Sequence, residues 1–347
     1  MKIKVFSLRT TSIIMLVISV VIILAKGYHY INRKIVNDRL QKSEIDFFNE
    51  NTKLAFIENV YRRGLFEPPF GDIFVVDLKS REKVRLNYDG YYDRYPSISR
   101  INRCIYFESK RGELAKKLHL SSPSDIYKYD FRSNEIVSAR KDIEFALIDT
   151  TSTIEKPIVS SFNDSVIVFT ENGVKQDYLV LSNYIRNEII FQLKNDSILN
   201  YWFGKDYLLI RRKLNMYSSD EAKYYYYDFR TSTFKNCGHI LTGNVIGFSQ
   251  DGNTLFEIKK VNDESLVRKI DLRNEVKENV YVKDSDRWER EGNFSSIKLF
   301  LEDTTSIVEK YSDKNTELAN IFLIKKNDEF ERLTSKPRKR MDFTIWY

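Results

Sequence analysis

The feature that most constrains this chain is a short pattern that returns six times. A small or acidic residue is followed by alternating apolar and aromatic residues, often ending in Asp. It reads Gly71-Asp-Ile-Phe-Val-Val-Asp77-Leu78, then Ser124-Asp-Ile-Tyr-Lys-Tyr-Asp130-Phe131. Weaker copies start at Gln176, Lys223, Ser265 and Ala319, so the starts lie 53, 52, 47, 42 and 54 residues apart. A fixed period of this length is the mark of a repeat architecture. Each copy is preceded by a strand-like run, among them Cys104-Ile-Tyr-Phe107, Val166-Ile-Val-Phe-Thr170 and Thr254-Leu-Phe-Glu-Ile258. A further run precedes those, such as Tyr95-Pro-Ser-Ile98, and a short outer one follows, such as Lys83-Val-Arg-Leu86. Four short strands per fifty residues, parted by Asp, Asn, Gly and Ser turns, is the arithmetic of a β-propeller blade. Aromatics at 14% with only 12 Gly and 6 Pro in 347 residues agree with sheet. In-phase copies argue against a generic β-sandwich.

The ends predict how the ring shuts. Residues 51–57 look like a second blade strand with no first strand before it, and 341–347 like a first strand with nothing after it. Joined, they make one blade, with the C-terminal strand beside Leu54–Ile57. Five others run in sequence, giving six. Closure removes two unpaired sheet edges.

Family resemblance enters on three phrases. Gly247-Phe-Ser-Gln-Asp-Gly-Asn-Thr-Leu-Phe256 resembles the "F-S-P-D-G-x-x-L-x-F" of TolB-type and related WD-like propeller repeats, with Gln250 in place of proline. The segment from Tyr88 through Asp93 and Pro96 to Ser99 resembles their "D-x-x-P-x-x-S" entry to a blade, and Glu331-Arg-Leu-Thr334 their "R-R-L-T" outer strand. The resemblance covers residues 52–347 and implies a six-bladed, TolB-like fold without specifying a function.

Ahead of the repeats, Thr10 to Ala25 carries no charge, and Ile13–Leu24 is interrupted only by Ser19. Eleven strongly apolar side chains favour membrane insertion by roughly 5 kcal/mol. Sixteen residues span about 24 Å against a hydrocarbon core of about 30 Å, which Arg9 and Lys26 bridge by snorkelling. A cleaved signal peptide shares this layout, but Ile23 is bulky where a small residue is needed. An uncleaved anchor over 1–27 is therefore expected, a helical stalk or linker over 28–50, and a propeller over 51–347. Either fate sends the propeller to the periplasmic or extracellular side.

Chemistry is sparse. Gly247-Phe-Ser249-Gln-Asp-Gly252 has one residue too many for a nucleophile elbow and reads as a blade turn. The three histidines are His29, His119 and His239. They are too few and too scattered for a zinc site, or for the histidine-rich metal site of polysaccharide lyases on related propellers. Cys237 with His239 is a lone pair, and Cys104 and Cys237 fall in non-adjacent repeats, so both are expected to stay free. No catalytic, cofactor or metal residues are assigned, and no cofactor is expected. The recurrent Asp77, Asp130, Asp228 and Asp271 read as turn acceptors. Asp284, Asp286, Asp303 and Asp313 are acids that a calcium site or glycoside hydrolysis would use.

The net charge of +7 rests largely on Lys2, Lys4, Arg9 and Lys26, so the remainder is too balanced for a nucleic-acid binder. Basic clusters at Arg62-Arg63, Arg211–Lys213 and Lys336–Arg340 suit solvent or an anionic partner, and Tyr224–Tyr227 suits packing between blades. The expectation is a membrane-tethered, monomeric, non-catalytic propeller that binds a protein or an envelope polymer. The alternative is a divergent carbohydrate-active enzyme using carboxylates in the funnel.

Overall fold

The computed structural model describes residues 8–41, 53–61, 70–89, 91–111, 124–173, 176–194, 198–213, 222–249, 251–261, 264–280, 294–302, 305–312, 315–324, 330–333, 338–339 and 343–346. One helix, α1 (Leu8–Gln41), precedes an all-β ring. It runs without a break across the expected anchor–stalk boundary at residue 27. Its apolar stretch from Ile13 to Leu24 is exposed, so these side chains are not core material for the propeller. This is the one helix among the described residues long and apolar enough to cross a membrane, a property that a signal sequence shares.

Five blades are built from four consecutive strands each. Blade 1 holds β4 (Asp93–Ser99), β5 (Cys104–Ser109), β6 (Asp125–Asp130) and β7 (Glu135–Ser138). Blade 2 holds β8 (Thr153–Val159), β9 (Val166–Asn172), β10 (Asp177–Asn183) and β11 (Glu188–Lys194), entered through a short helix, α2 (Arg140–Ile143). Blade 3 holds β12 (Ile198–Phe203), β13 (Tyr207–Lys213), β14 (Ala222–Asp228) and β15 (Thr233–Asn236). Blade 4 holds β16 (Asn244–Phe248), β17 (Thr254–Val261), β18 (Glu264–Asp271) and β19 (Val276–Val280). Blade 5 holds β20 (Phe294–Glu302), β21 (Thr305–Ser312), β22 (Asn315–Ile324) and β23 (Phe330–Arg332). Within it Arg338–Lys339 forms β24 on β22.

The expectation of six blades is corrected to five that repeat in sequence. The remaining sheet is a composite of β1 (Lys53–Tyr61), β2 (Phe70–Asp77), β3 (Lys83–Arg85) and the C-terminal β25 (Phe343–Trp346). Strand β25 runs antiparallel to β1, with Leu54 opposite Ile345 and Phe56 opposite Phe343. Innermost strands follow one another around the ring: β1 and β25 pack on β4, β4 on β8, β12 on β16 and β16 on β20, and β24 returns to β1. Among the described side chains, apolar residues of the composite sheet and blades 1 to 4 fill the seams between them. Ile57 and Val75 meet Ile105 and Phe107 in one seam, and Val168 and Leu181 meet Leu208 and Ile210 in another. Burying one such side chain contributes about 1.5–3 kcal/mol.

The turns at one end are built alike. Oδ1 of Asp77, Asp130, Asp228 and Asp271 accepts the N–H of the residue two positions on, at 2.8–2.9 Å. Asn183 does the same in blade 2. Four residues after each acceptor the backbone turns left-handed, at Arg81, Asn134, Asn187, Ser232 and Glu275. At the β16–β17 turn the left-handed residue is Gly252 (φ 73°), whose carbonyl accepts the N–H of Lys205 in blade 3. A Cβ there would lie 2.5 Å from that nitrogen, so only glycine lets the two turns touch.

Candidate functional site

The inner strands begin at the opposite end of the ring. At the mouth of the seam between blades 1 and 2 is a cleft of about 190 Å³. Its walls come from the first residues of the inner strands β4 and β8 and from the β5–β6 connection. Both inner strands carry the same irregularity there. The β4 register shifts between Arg94 and Ser97, and the β8 register between Glu155 and Ile158. In each, the residue before a proline is left-handed: Tyr95 (φ 50°) before Pro96 and Lys156 (φ 49°) before Pro157. Such non-glycine conformations cost on the order of 1–3 kcal/mol, and bulges of this kind re-aim side chains. Here they bring Arg94, Tyr95, Glu155 and Lys156 to one cleft.

Those side chains form a ladder of cations and rings. Lys110 Nζ lies 5.6 Å from the centre of the Tyr92 ring, and the Arg94 guanidinium 5.6 Å from the same ring. Arg94 is also 4.6 Å from the centre of the Tyr95 ring, and donates to its hydroxyl at 2.7 Å. Lys156 Nζ sits 5.8 Å from the Tyr95 ring and donates to the carbonyl of Leu199. Each contact falls in the range where an aromatic face attracts a cation. Three like charges are thus held in a row by two tyrosines.

Acids supply the other wall and the floor. Glu108 is buried, and burial holds its carboxyl above the usual carboxylate range. It accepts from Ser124 Oγ at 2.9 Å and from the Lys156 N–H at 3.1 Å. Glu155 stands at the rim. Asp177 lies close to it and is raised, first by burial and then by the charge of Glu155. Other second strands also bury a glutamate, Glu58 in β1, Glu171 in β9 and Glu257 in β17, each on the sheet face opposite to that of Glu108. Glu171 accepts the N–H groups of Ile148 and Asp149 and the Ser152 hydroxyl, and Glu257 accepts those of Thr242 and Gly243. Glu171 and Glu257 tie down the loops that enter blades 2 and 4. Blade 3 has Arg211 instead, over the Tyr224 ring.

The neighbouring seam, between the composite sheet and blade 1, holds a second charged group. Arg111 is 8% exposed and donates to Asp93 at 2.7 and 2.8 Å and to Asp89 at 2.8 Å. Tyr91, Phe107 and Tyr127 present their rings to it. Asn87 donates to Asp93, and Arg85 to Asp72. Burial pushes the Asp72 carboxyl up to about 8 and that of Asp93 up to about 6. Arg111, Asp89, Asp93, Asn87, Arg85 and Asp72 pair with one another, so this is a closing device rather than an open site.

Residues singled out from the sequence fall elsewhere. Ser249 donates to Asp251 and accepts from the Thr254 N–H, which makes it a turn residue. Cys104 and Cys237 are free and buried, and burial raises both thiols, that of Cys237 to about 12. His239 meets Glu275 at 3.5 Å on the surface. Tyr224 and Tyr226 pack toward blade 4 and Tyr227 toward blade 2. His119, Asp284, Asp286, Asp303, Asp313, Arg62 and Arg63 lie outside the described residues. No group of three metal-ligating side chains occurs among the described residues.

No protein-family model matches the chain, and no curated protein matches its sequence. Solved structures do resemble it. TolB from Acinetobacter baumannii superposes with a TM-score of 0.52 at 11% identity, over 91% of this chain and 71% of that one. A putative TolB from Agrobacterium tumefaciens gives 0.49 at 7% identity, over 86% and 98%. An oligogalacturonate lyase in complex with manganese gives 0.49 at 9% identity, over 76% and 70%. The fold is a TolB-like β-propeller.

Proposed function

We propose that the chain is a membrane-anchored propeller that works as a non-catalytic binding or scaffold module outside the cytoplasm. The composite sheet serves as the sixth sector of its ring. α1 is the anchor, and its Asn32 donates to the Tyr88 hydroxyl beyond β3, which ties the helix to the ring. The partner, a protein or an envelope polymer, meets the end of the ring that carries the blade 1–blade 2 cleft. One observation carries this reading. The buried carboxylates at that end are occupied as acceptors for loop N–H groups and hydroxyls, while the cleft presents a rigid row of cations. A general acid must instead have its proton within reach of a substrate.

A second reading rests on Glu108 and Glu155. They share the cleft, and Glu108 is raised by burial, as for a carbohydrate-active acid–base pair. Photo-crosslinking in intact membranes separates the two. Tyr92 and, at the far end, Thr231 are each replaced by benzoylphenylalanine. A binding module gives adducts from position 92, none from 231, and no turnover across a saccharide panel. Turnover lost in Glu108→Gln establishes the enzyme instead. Resistance to carbonate extraction, with cleavage of the ring by protease added outside the cytoplasm, checks the anchoring and the side.

A further inference from the structure

We infer that the cleft between blades 1 and 2 recognises a carboxylate-bearing saccharide, a uronate-type unit of an anionic glycan. The inference rests on the reading of this end of the ring as a binding face, and adds the class of ligand.

Three properties of the cleft lead there. Its volume of about 190 Å³ is below the roughly 300 Å³ at which drug-sized ligands are enclosed. It therefore takes one unit of a longer molecule. Its walls are all polar, charged or tyrosine: Tyr92, Arg94, Tyr95 and Lys110 on one side, Glu155 and Lys156 on the other. A peptide anchors through large side chains set in well-packed, desolvated pockets, and this cleft has no aliphatic wall to build one. Finally, both signs of charge are present. The Lys110–Tyr92–Arg94–Tyr95–Lys156 ladder asks for an anion. Glu155, with Asp177 near it, asks for hydrogen-bond donors and repels a dense polyanion. A sugar acid supplies both from one ring: a carboxylate for the arginine and lysines, and hydroxyl groups for the carboxylate wall.

The rigidity of the site fits recognition of a fixed ring. Arg94–Tyr95 and Glu155–Lys156 are set by two matching bulges, each locked by the following proline. The backbone under Lys156 is pinned twice, by its N–H on Glu108 and by its carbonyl, which accepts from the Tyr201 hydroxyl. A preorganised site loses less entropy on binding.

The test is equilibrium binding to the full chain in nanodiscs, by calorimetry. The probes are a short glucuronate-bearing oligosaccharide, its methyl ester and polyglutamate. The acid is expected to bind at least about tenfold more tightly than the ester, as one charge-assisted contact implies. The double variant Arg94→Gln/Lys110→Gln brings the acid down to the ester's level and leaves the ester unchanged. Glu155→Gln weakens acid and ester alike, and all variants keep the parent melting temperature. Equal binding of acid and ester, polyglutamate competing as well as the acid, or no binding of either saccharide overturns the inference. In that event adducts from position 92 that carry a protein leave the binding module standing. Absence of any adduct from position 92 removes the module as well.

Discussion

The seam between the composite sheet and blade 1 and the seam between blades 2 and 3 do the same job with different chemistry. Both have an apolar middle, Ile57, Val75 and Phe107 in the first and Val168, Leu181 and Leu208 in the second. Away from that middle they diverge. The first turns ionic, with Arg111 between Asp89 and Asp93 and Arg85 on Asp72. The second stays aromatic, with Phe191 4.7 Å from the Tyr227 ring and 5.4 Å from that of Phe234. Blades 2 and 3 follow one another in sequence, as do β3 and β4, but the first seam also includes β25, which packs on β4. The composite sheet must find β25 from the far end of the chain, and directional pairs specify one arrangement where apolar contact tolerates several. That buried ion pairs confer specificity rather than stability is a hypothesis for this seam, and the ring can be broken in ways that test it.

The largest effect follows from deleting residues 343–347. This strips β1 of its partner from Lys53 to Phe56 and leaves an unpaired edge along a strand that is otherwise core. The truncated chain is expected to aggregate on size-exclusion chromatography and to lose its cooperative calorimetric transition. A monomer that melts near the parent temperature would show that β25 does not hold the ring shut.

Next comes Arg111→Ala, which leaves the fully buried Asp93 side chain without its cation. Removing one partner of a buried pair costs about 3–5 kcal/mol. Adding Asp93→Asn to it should recover part of that loss, as read from denaturant midpoints. A strictly additive double variant would mean that the pair does not act as a unit. In the apolar seam, Leu208→Ala is expected to cost about 2–5 kcal/mol through the cavity it leaves. Its cost should be independent of salt.

Much of this contrast was legible in the sequence, and one part was not. Alternation and the turn acids place the strands, because a period-2 pattern and an Asp that accepts its own turn N–H are local facts. The closing strand was legible because a blade with a missing strand at each end has one way to complete itself. The outward basic and tyrosine runs were legible only as composition: Tyr224 and Tyr227 pack in different seams because strand neighbours face opposite ways. The cleft was hidden. Lys110 meets Tyr92 through the pairing of β4 with β5, but Lys156 belongs to another blade and meets Tyr95 only once blades 1 and 2 pack, and the bulges at Tyr95 and Lys156 give no signal beyond the prolines that follow. The glutamates near the ends of β1, β5, β9 and β17 were visible as letters in apolar runs. Their signal is an acid recurring inside second strands, one that the more numerous aspartates of the turns outnumber.

The last expected effect is the most specific to the ionic seam. Asp72 is buried beside Arg85, and burial outweighs the arginine, so its carboxyl is pushed up to about 8 from an ordinary value of 3.8. Between those two values the folded chain holds a proton that the unfolded chain has released. The folded state therefore binds more protons than the unfolded one, and stability falls as pH rises through this window. The contribution is fully present below about 4 and gone above about 8. Asp93, raised to about 6, acts in the same direction over the lower part of the range. Asp72→Asn keeps the shape and removes the titration. The variant is expected to gain on the parent steadily from pH 5 to pH 8 in urea midpoints, while Leu208→Ala runs parallel to the parent over the same range. Parallel curves for both variants would mean that Asp72 is ionised throughout and that its pairing with Arg85, not its burial, governs the seam.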